Sequence, residues 1–105
     1  MGNELGLVIQ EIEREIVILN KMLRSAELAY KVANAGNEIG GHFGNEIERW
    51  GHRVGVVNTV IEGATRNIEL LEAAARTEDE NQIKEALLLT AVLANVRKQA
   101  IAGLA

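Results

Sequence analysis

The segment Ala86-Leu87-Leu88-Leu89-Thr90-Ala91-Val92-Leu93-Ala94-Asn95-Val96 decides how the chain is read. Nine of its eleven residues are apolar, and only Thr90 and Asn95 interrupt the run. At about 100° per residue its aliphatic groups point in every direction, and a helix that is apolar all round is buried all round or lies in a membrane. Eleven residues are too few for a bilayer, which needs about 20. The segment therefore predicts a helix at the centre of a water-exposed bundle.

The rest of the composition agrees with a helical protein. Among 105 residues there is no proline and no cysteine, and only one Trp, one Tyr and one Phe. A chain of this length makes one small domain, read here as 1–105, and buries only about 60–65% of its unfolded surface. With no cysteine there is no disulfide framework and no thiolate metal site. The net charge of −4 argues against nucleic acid or an anionic membrane as partner. No basic segment followed by an apolar one opens the chain, so a soluble, cytoplasmic location without signal peptide or transmembrane segment is expected.

Three helices are predicted. The first covers about 3–34, where Leu5, Ile9, Ile12, Ile16, Leu19, Leu23, Ala26, Tyr30 and Ala33 follow alternating steps of four and three. That is a heptad seam sustained over about four heptads. A second apolar line, Leu7, Val17, Ile18, Leu28 and Val32, lies on the far side, where a surface helix is ordinarily polar. Ala35–Asn45 holds four glycines within nine residues, which would cost a continuous helix roughly 3–4 kcal/mol relative to alanine. It reads as a loop, with Gly36 closing the first helix and Asn45 with Glu48 forming a capping box for the next. A helix continuing from Asn37 is the alternative, because Ile39 and Phe43 share a face with the residues that follow.

The second helix is predicted over about 46–76. Ile47, Trp50, Val54, Val57, Ile61, Ala64, Ile68 and Leu71 form its apolar stripe, and Gly51 and Gly55 flank it at a spacing that permits close helix approach. Thr77 with Glu80 reads as a capping box for a third helix over about 78–102. Arg97 and Lys98 sit near its C-terminal end, where the helix dipole favours cations. Together these make an all-α, three-helix, up-down-up bundle.

Chemistry-bearing residues are few. His42 lies in the glycine-rich stretch, and His52 stands between Gly51 and Gly55. Glycines beside a helical imidazole leave room for a flat macrocycle, so His42, His52, Gly51 and Gly55 are the candidate cofactor residues for haem or a related tetrapyrrole. Solvated surface histidines are the plainer expectation. Glu38 and His42, and Glu48 and His52, are four apart, but neither Glu-x-x-His nor His-Glu-x-x-His occurs, so no metal site is assigned. No nucleophile–base set and no phosphate loop is present. In the apolar segment, Thr90 bonding its own backbone is the commoner expectation. Pairing of Thr90 and Asn95 across a symmetry axis would fix register.

Two short resemblances follow from these residues. His52-Arg53-Val54 with Thr59-Val60-Ile61-Glu62-Gly63 resembles the phospho-accepting histidine box of sensor histidine kinases, which implies histidine phosphotransfer at His52. Arg53 and Val57 replace that family's acidic or amide neighbour and its proline. Glu11–Ala33 is similar to the first helix of the all-helical chorismate mutases, small three-helix proteins intertwined as dimers. That likeness implies that Arg49 and Gln99 match residues holding the family's dianionic substrate. Val8, Ser25 and Gly36 occupy positions where the family carries charged ligands.

The leading expectation is a non-enzymatic, self-associating bundle, a structural or interaction module, because the chain holds more apolar helix surface than three helices can hide. A C2 homodimer is the simplest assembly. Leu7, Ile18, Leu28, Val32, Leu89, Leu93 and Val96 are its expected interface. A tetrapyrrole or small-molecule binder built on His42 and His52 is the alternative. The agreement of caps and heptads, without proline or cysteine, would also suit a computational design.

Overall fold

The computed structural model describes residues 2–104; residues 1 and 105 of the single-domain reading lie outside them. Three helices follow one another: α1 (Gly2–Glu38), α2 (Gly44–Thr77) and α3 (Glu80–Ala102), with no strand among the described residues. They fold into an up-down-up bundle in which α2 is the central helix. Both α1 and α3 pack along α2 and meet each other far less. The molecule is long and thin, 61 × 18 × 17 Å between Cα extremes.

The packing is heptad packing. In α1 every seventh residue is buried: Leu5, Ile12, Leu19, Ala26 and Ala33. In α2 the buried residues step by three and four: Val57, Val60, Ala64, Asn67, Leu71 and Ala74. A strict seven-residue repeat on a helix of 3.6 residues per turn drives a left-handed supercoil. Of the seam expected for α1, Leu5, Ile12, Leu19, Ala26 and Ala33 are buried, Ile9, Ile16 and Leu23 are half-buried, and Tyr30 is exposed. Of the stripe expected for α2, Val57, Ala64 and Leu71 are buried, whereas Ile47, Trp50, Val54, Ile61 and Ile68 are only half-buried. Packing of α3 on the other flank shifts the buried line toward Val60, Asn67 and Ala74.

The core has two parts. Leu5, Ile12, Ala64, Leu71, Ala74 and Ala86 join all three helices at one end. Leu19, Val57 and Val60 form a second cluster, closed by Ala100 and Ile101 of α3 and by Leu104 just beyond it. Beyond Leu104, α1 and α2 continue as a two-helix hairpin. There the seam of α1 shrinks to Ala26 and Ala33, and the Tyr30 ring stands over Gly51, where an added Cβ would lie 3.2 Å from Tyr30 Cε2. Small residues at that point let the two backbones close on each other.

The connections differ from the expected caps. Helix α1 runs through Gly36 to Glu38 and α2 begins only at Gly44, so the loop is shorter than 35–45 and the alternative of a long second helix from Asn37 is not realised. Gly40, at φ +97°, is the left-handed residue that ends α1. Its amide donates to Asn37 O at 3.2 Å and the Gly41 amide to Gly36 O at 3.0 Å, a Schellman pair. The Phe43 ring packs on Gly36, where an added Cβ would lie 2.8 Å from the ring. Gly36 is thus used for close approach within the helix and not as its stop. Phe43 is the N-cap of α2 and makes no side-chain cap bond, so the Asn45–Glu48 box does not form. Nor does a Thr77–Glu80 box. Thr77 ends α2 and donates to Ala74 O at 2.6 Å, while Asp79 caps α3 by accepting from the Asn81 amide at 2.9 Å. Asp79 stands two residues nearer α3 than Thr77, directly before its first residue Glu80, and takes the position.

The central placement of Ala86–Val96 is corrected. Helix α3 lies at the side of the bundle. It turns Ala86, Thr90 and Arg97 inward and leaves Leu88, Leu89, Val92 and Val96 exposed. Within one chain, α2 alone cannot cover an apolar perimeter that extends around the helix.

Candidate functional site

The outer face of α3 is not that of an ordinary surface helix. Leu88 is 71% exposed, Val92 59% and Val96 57%. With Leu89 they fall within an arc of about 100° at helical spacing, the width of a buried stripe. Of the seven residues expected at an interface, Leu89 and Val96 lie on this face and Leu93 is half-buried at its edge. The other four, Leu7, Ile18, Leu28 and Val32, are exposed along the outside of α1. Two clefts lie between α2 and α3 with no residue of α1 in their walls, and Leu70, Ala73 and Leu89 line the first. His52, Gly55, Thr59 and Ala100 line the second.

Inside the bundle is a polar layer that charge patterning did not reveal. Arg97 was expected near the helix end as a dipole partner; it is 5% exposed. Its Nε donates to Glu15 Oε1 at 2.7 Å and its Nη2 to Oε2 at 3.1 Å, a bidentate pair. Its Nη1 donates to Asn67 Oδ1 at 2.8 Å. Asn67 Nδ2 in turn donates to Thr90 Oγ1 at 2.8 Å, and that hydroxyl donates to Ala86 O at 2.7 Å. One chain of hydrogen bonds thus ties α1, α2 and α3 at a single level. The Thr90 back-bond matches the commoner expectation, while Asn95 is exposed on the outside. The signal for the layer was present in the spacing: Thr90 and Arg97 are seven apart, and Asn67 lies seven from both Val60 and Ala74.

The Glu15–Arg97 pair bridges an open groove between α1 and α3. On one side is a cleft of about 420 Å³ over Val8, Ile12 and Leu87. On the other is one of about 540 Å³ over Ile18, Met22 and Ile101.

A third feature lies where α3 ends. Arg49, Trp50, His52 and Arg53 of α2, with Gly103 and Leu104, enclose a cleft of about 500 Å³. Both guanidinium groups sit 5.4 Å from the Trp50 ring centroid, within cation–π range. Arg53 Nη2 donates to Leu104 O at 3.2 Å, and Arg53 Nε is buried with no acceptor. Among the described residues the only ion pair is Glu15–Arg97, so neither Arg49 nor Arg53 has a carboxylate partner.

The candidate cofactor residues are not gathered in one place. His42 is exposed in the loop that joins α1 to α2. His52 and Gly55 share a cleft, but Gly51 faces α1 and its space is taken by Tyr30. The room expected on both sides of His52 is therefore present on one side only. Arg49 lines the cleft beside Trp50, which does not include Gln99. Among the described residues no three His, Asp or Glu side chains stand close enough to share a metal ion, and no helix is long and apolar enough to cross a membrane. No protein-family model, curated protein or solved structure matches the chain.

Proposed function

We propose that this chain is a non-enzymatic, self-associating helical bundle, a structural or interaction module whose partner is a second copy of itself. The observation that carries the proposal is the double-sided α3: one face lies on α2, and the other holds Leu88, Leu89, Val92 and Val96 in water. Burying aliphatic surface yields about 25 cal/mol per Å², so such a stripe favours association by several kcal/mol before the cost of ordering is subtracted. The surface area points the same way. The chain exposes 7195 Å², against about 5,800 Å² for a compact monomer of its mass. The excess is larger than the roughly 800 Å² that each partner buries in a standard interface.

The polar layer suits the same role. Buried polar groups that are fully bonded fix which layers face one another, at little gain in stability. Sedimentation equilibrium across a dilution series tests the proposal. The expected result is a mass above that of one chain at micromolar concentration, falling on dilution. A single-chain mass throughout would refute it.

A further inference from the structure

We infer that two copies pack antiparallel through α3, about a two-fold axis near Val92 and Leu93, and that each copy's Glu78–Glu80 turn docks on the other's Arg49–His52–Arg53 cleft. The inference rests on the self-association proposed above and adds its direction and its polar contact.

The apolar stripe sets the axis. Leu88 and Leu89 stand at one end of the exposed face and Val96 at the other, so its midpoint falls between residues 92 and 93. A closed dimer uses the same patch on both copies. An antiparallel pairing about that midpoint sets Leu89 against the partner's Val96 and brings Val92 beside the partner's Leu93.

The helix rise then fixes what meets at the ends. From the midpoint to Glu80 is about 19 Å along the axis, and from the midpoint to Leu104 about 17 Å. The partner's acidic turn therefore arrives level with Gly103 and Leu104, the two α3-side residues of the cationic cleft. The flank agrees as well. His52 borders this cleft and also the α2–α3 cleft of Gly55, Thr59 and Ala100, and Leu89 lines a second cleft between the same two helices. Gly55 is open, with nothing within 4 Å of an added Cβ, so a neighbouring helix can lie close there.

Charge selects this direction over the parallel one. Glu78, Asp79 and Glu80 are all exposed, and none has an ion-pair partner among the described residues, although Arg76 and Lys84 are near in sequence. At the other end Arg49 and Arg53 have no carboxylate partner among the described residues, and Arg53 Nε no acceptor among them. Glu46 and Glu48, on the same helix, line no part of that cleft. Antiparallel packing brings acid to base at both ends; parallel packing would set acidic turn against acidic turn, which opposes association.

The chain has no cysteine, so disulfide trapping reads the geometry directly. Leu89→Cys and Val96→Cys chains, mixed and oxidised, are expected to form mainly the mixed 89–96 dimer, and His52→Cys with Glu80→Cys to form a mixed dimer too. Arg49→Glu is expected to weaken association about tenfold at low salt, and adding Glu80→Lys to the same chain to restore it. A wild-type chain that remains single would overturn both this inference and the proposed function. A dimer in which Leu89→Cys links chiefly to itself would overturn the antiparallel axis and leave self-association standing. Association indifferent to Arg49→Glu would overturn the docking of the acidic turn. So would a cleft whose Arg49→Glu loss falls on binding of inorganic phosphate alone, since the cleft would then serve a small anion.

Discussion

Arg97 shows how a single side chain can unite three helices. It is buried, charged and satisfied on two sides, by Glu15 of α1 and Asn67 of α2. Arg97→Ala is expected to cost about 2–4 kcal/mol in urea unfolding, because Asn67 Oδ1 loses its donor in the interior and Glu15 loses its counter-charge. Glu15 remains partly in water, which keeps the loss below that of a fully stranded charge. Replacing Glu15, Asn67, Thr90 and Arg97 together by Leu, Leu, Val and Met is expected to leave the urea midpoint unchanged or raise it, since no member of the layer is then left unpaired. Gly40 is a second residue with a defined role. At φ +97° it closes α1, and Gly40→Ala is expected to lower stability by about 1 kcal/mol, read as a lowered Tm. Neither role was apparent from residue type alone. A cation near a helix end suits the dipole equally well from outside, and four glycines within nine residues do not say which of them takes the left-handed conformation.

The helices themselves were largely legible. Heptad spacing gave α1 its buried face from Leu5 to Ala33, because a seven-residue repeat records one partner helix along the whole length. For α2 the same reasoning found half the buried set, since a central helix faces two partners and its stripe reflects both. Leu71 belongs to that shared line and is fully buried, so Leu71→Ala is expected to cost about 2–5 kcal/mol in chemical unfolding. The helix ends were less legible. Candidate caps Asn45 and Thr77 lie within two residues of the actual caps, Phe43 and Asp79. The choice depends on where the chain must turn to pack, which local sequence does not encode. For α3 the sequence gives two apolar faces and no means of saying which one the chain covers itself.

The whole molecule is extended beyond what its size requires. Its radius of gyration is 17.7 Å, where a compact domain of this length would have about 13 Å. A thin rod has little interior, and it leaves the second face of α3 without cover. Leu89→Asp is therefore expected to dissociate the assembly while the chain keeps its helical circular dichroism. Leu89 is 47% exposed in the single chain, so its replacement strands no charge inside the bundle. The candidate site was legible as surplus apolar surface and not as a place, because its position depends on how α3 is turned against α2.

Small-angle scattering at high micromolar concentration tests the central claim most directly, because forward scattering gives mass and the low-angle slope gives size. Association through α3 predicts a mass of at least twice 11.4 kDa and a radius of gyration above 17.7 Å. A mass of 11.4 kDa with a radius near 17.7 Å would contradict it, since the exposed face of α3 would then be stable in water uncovered.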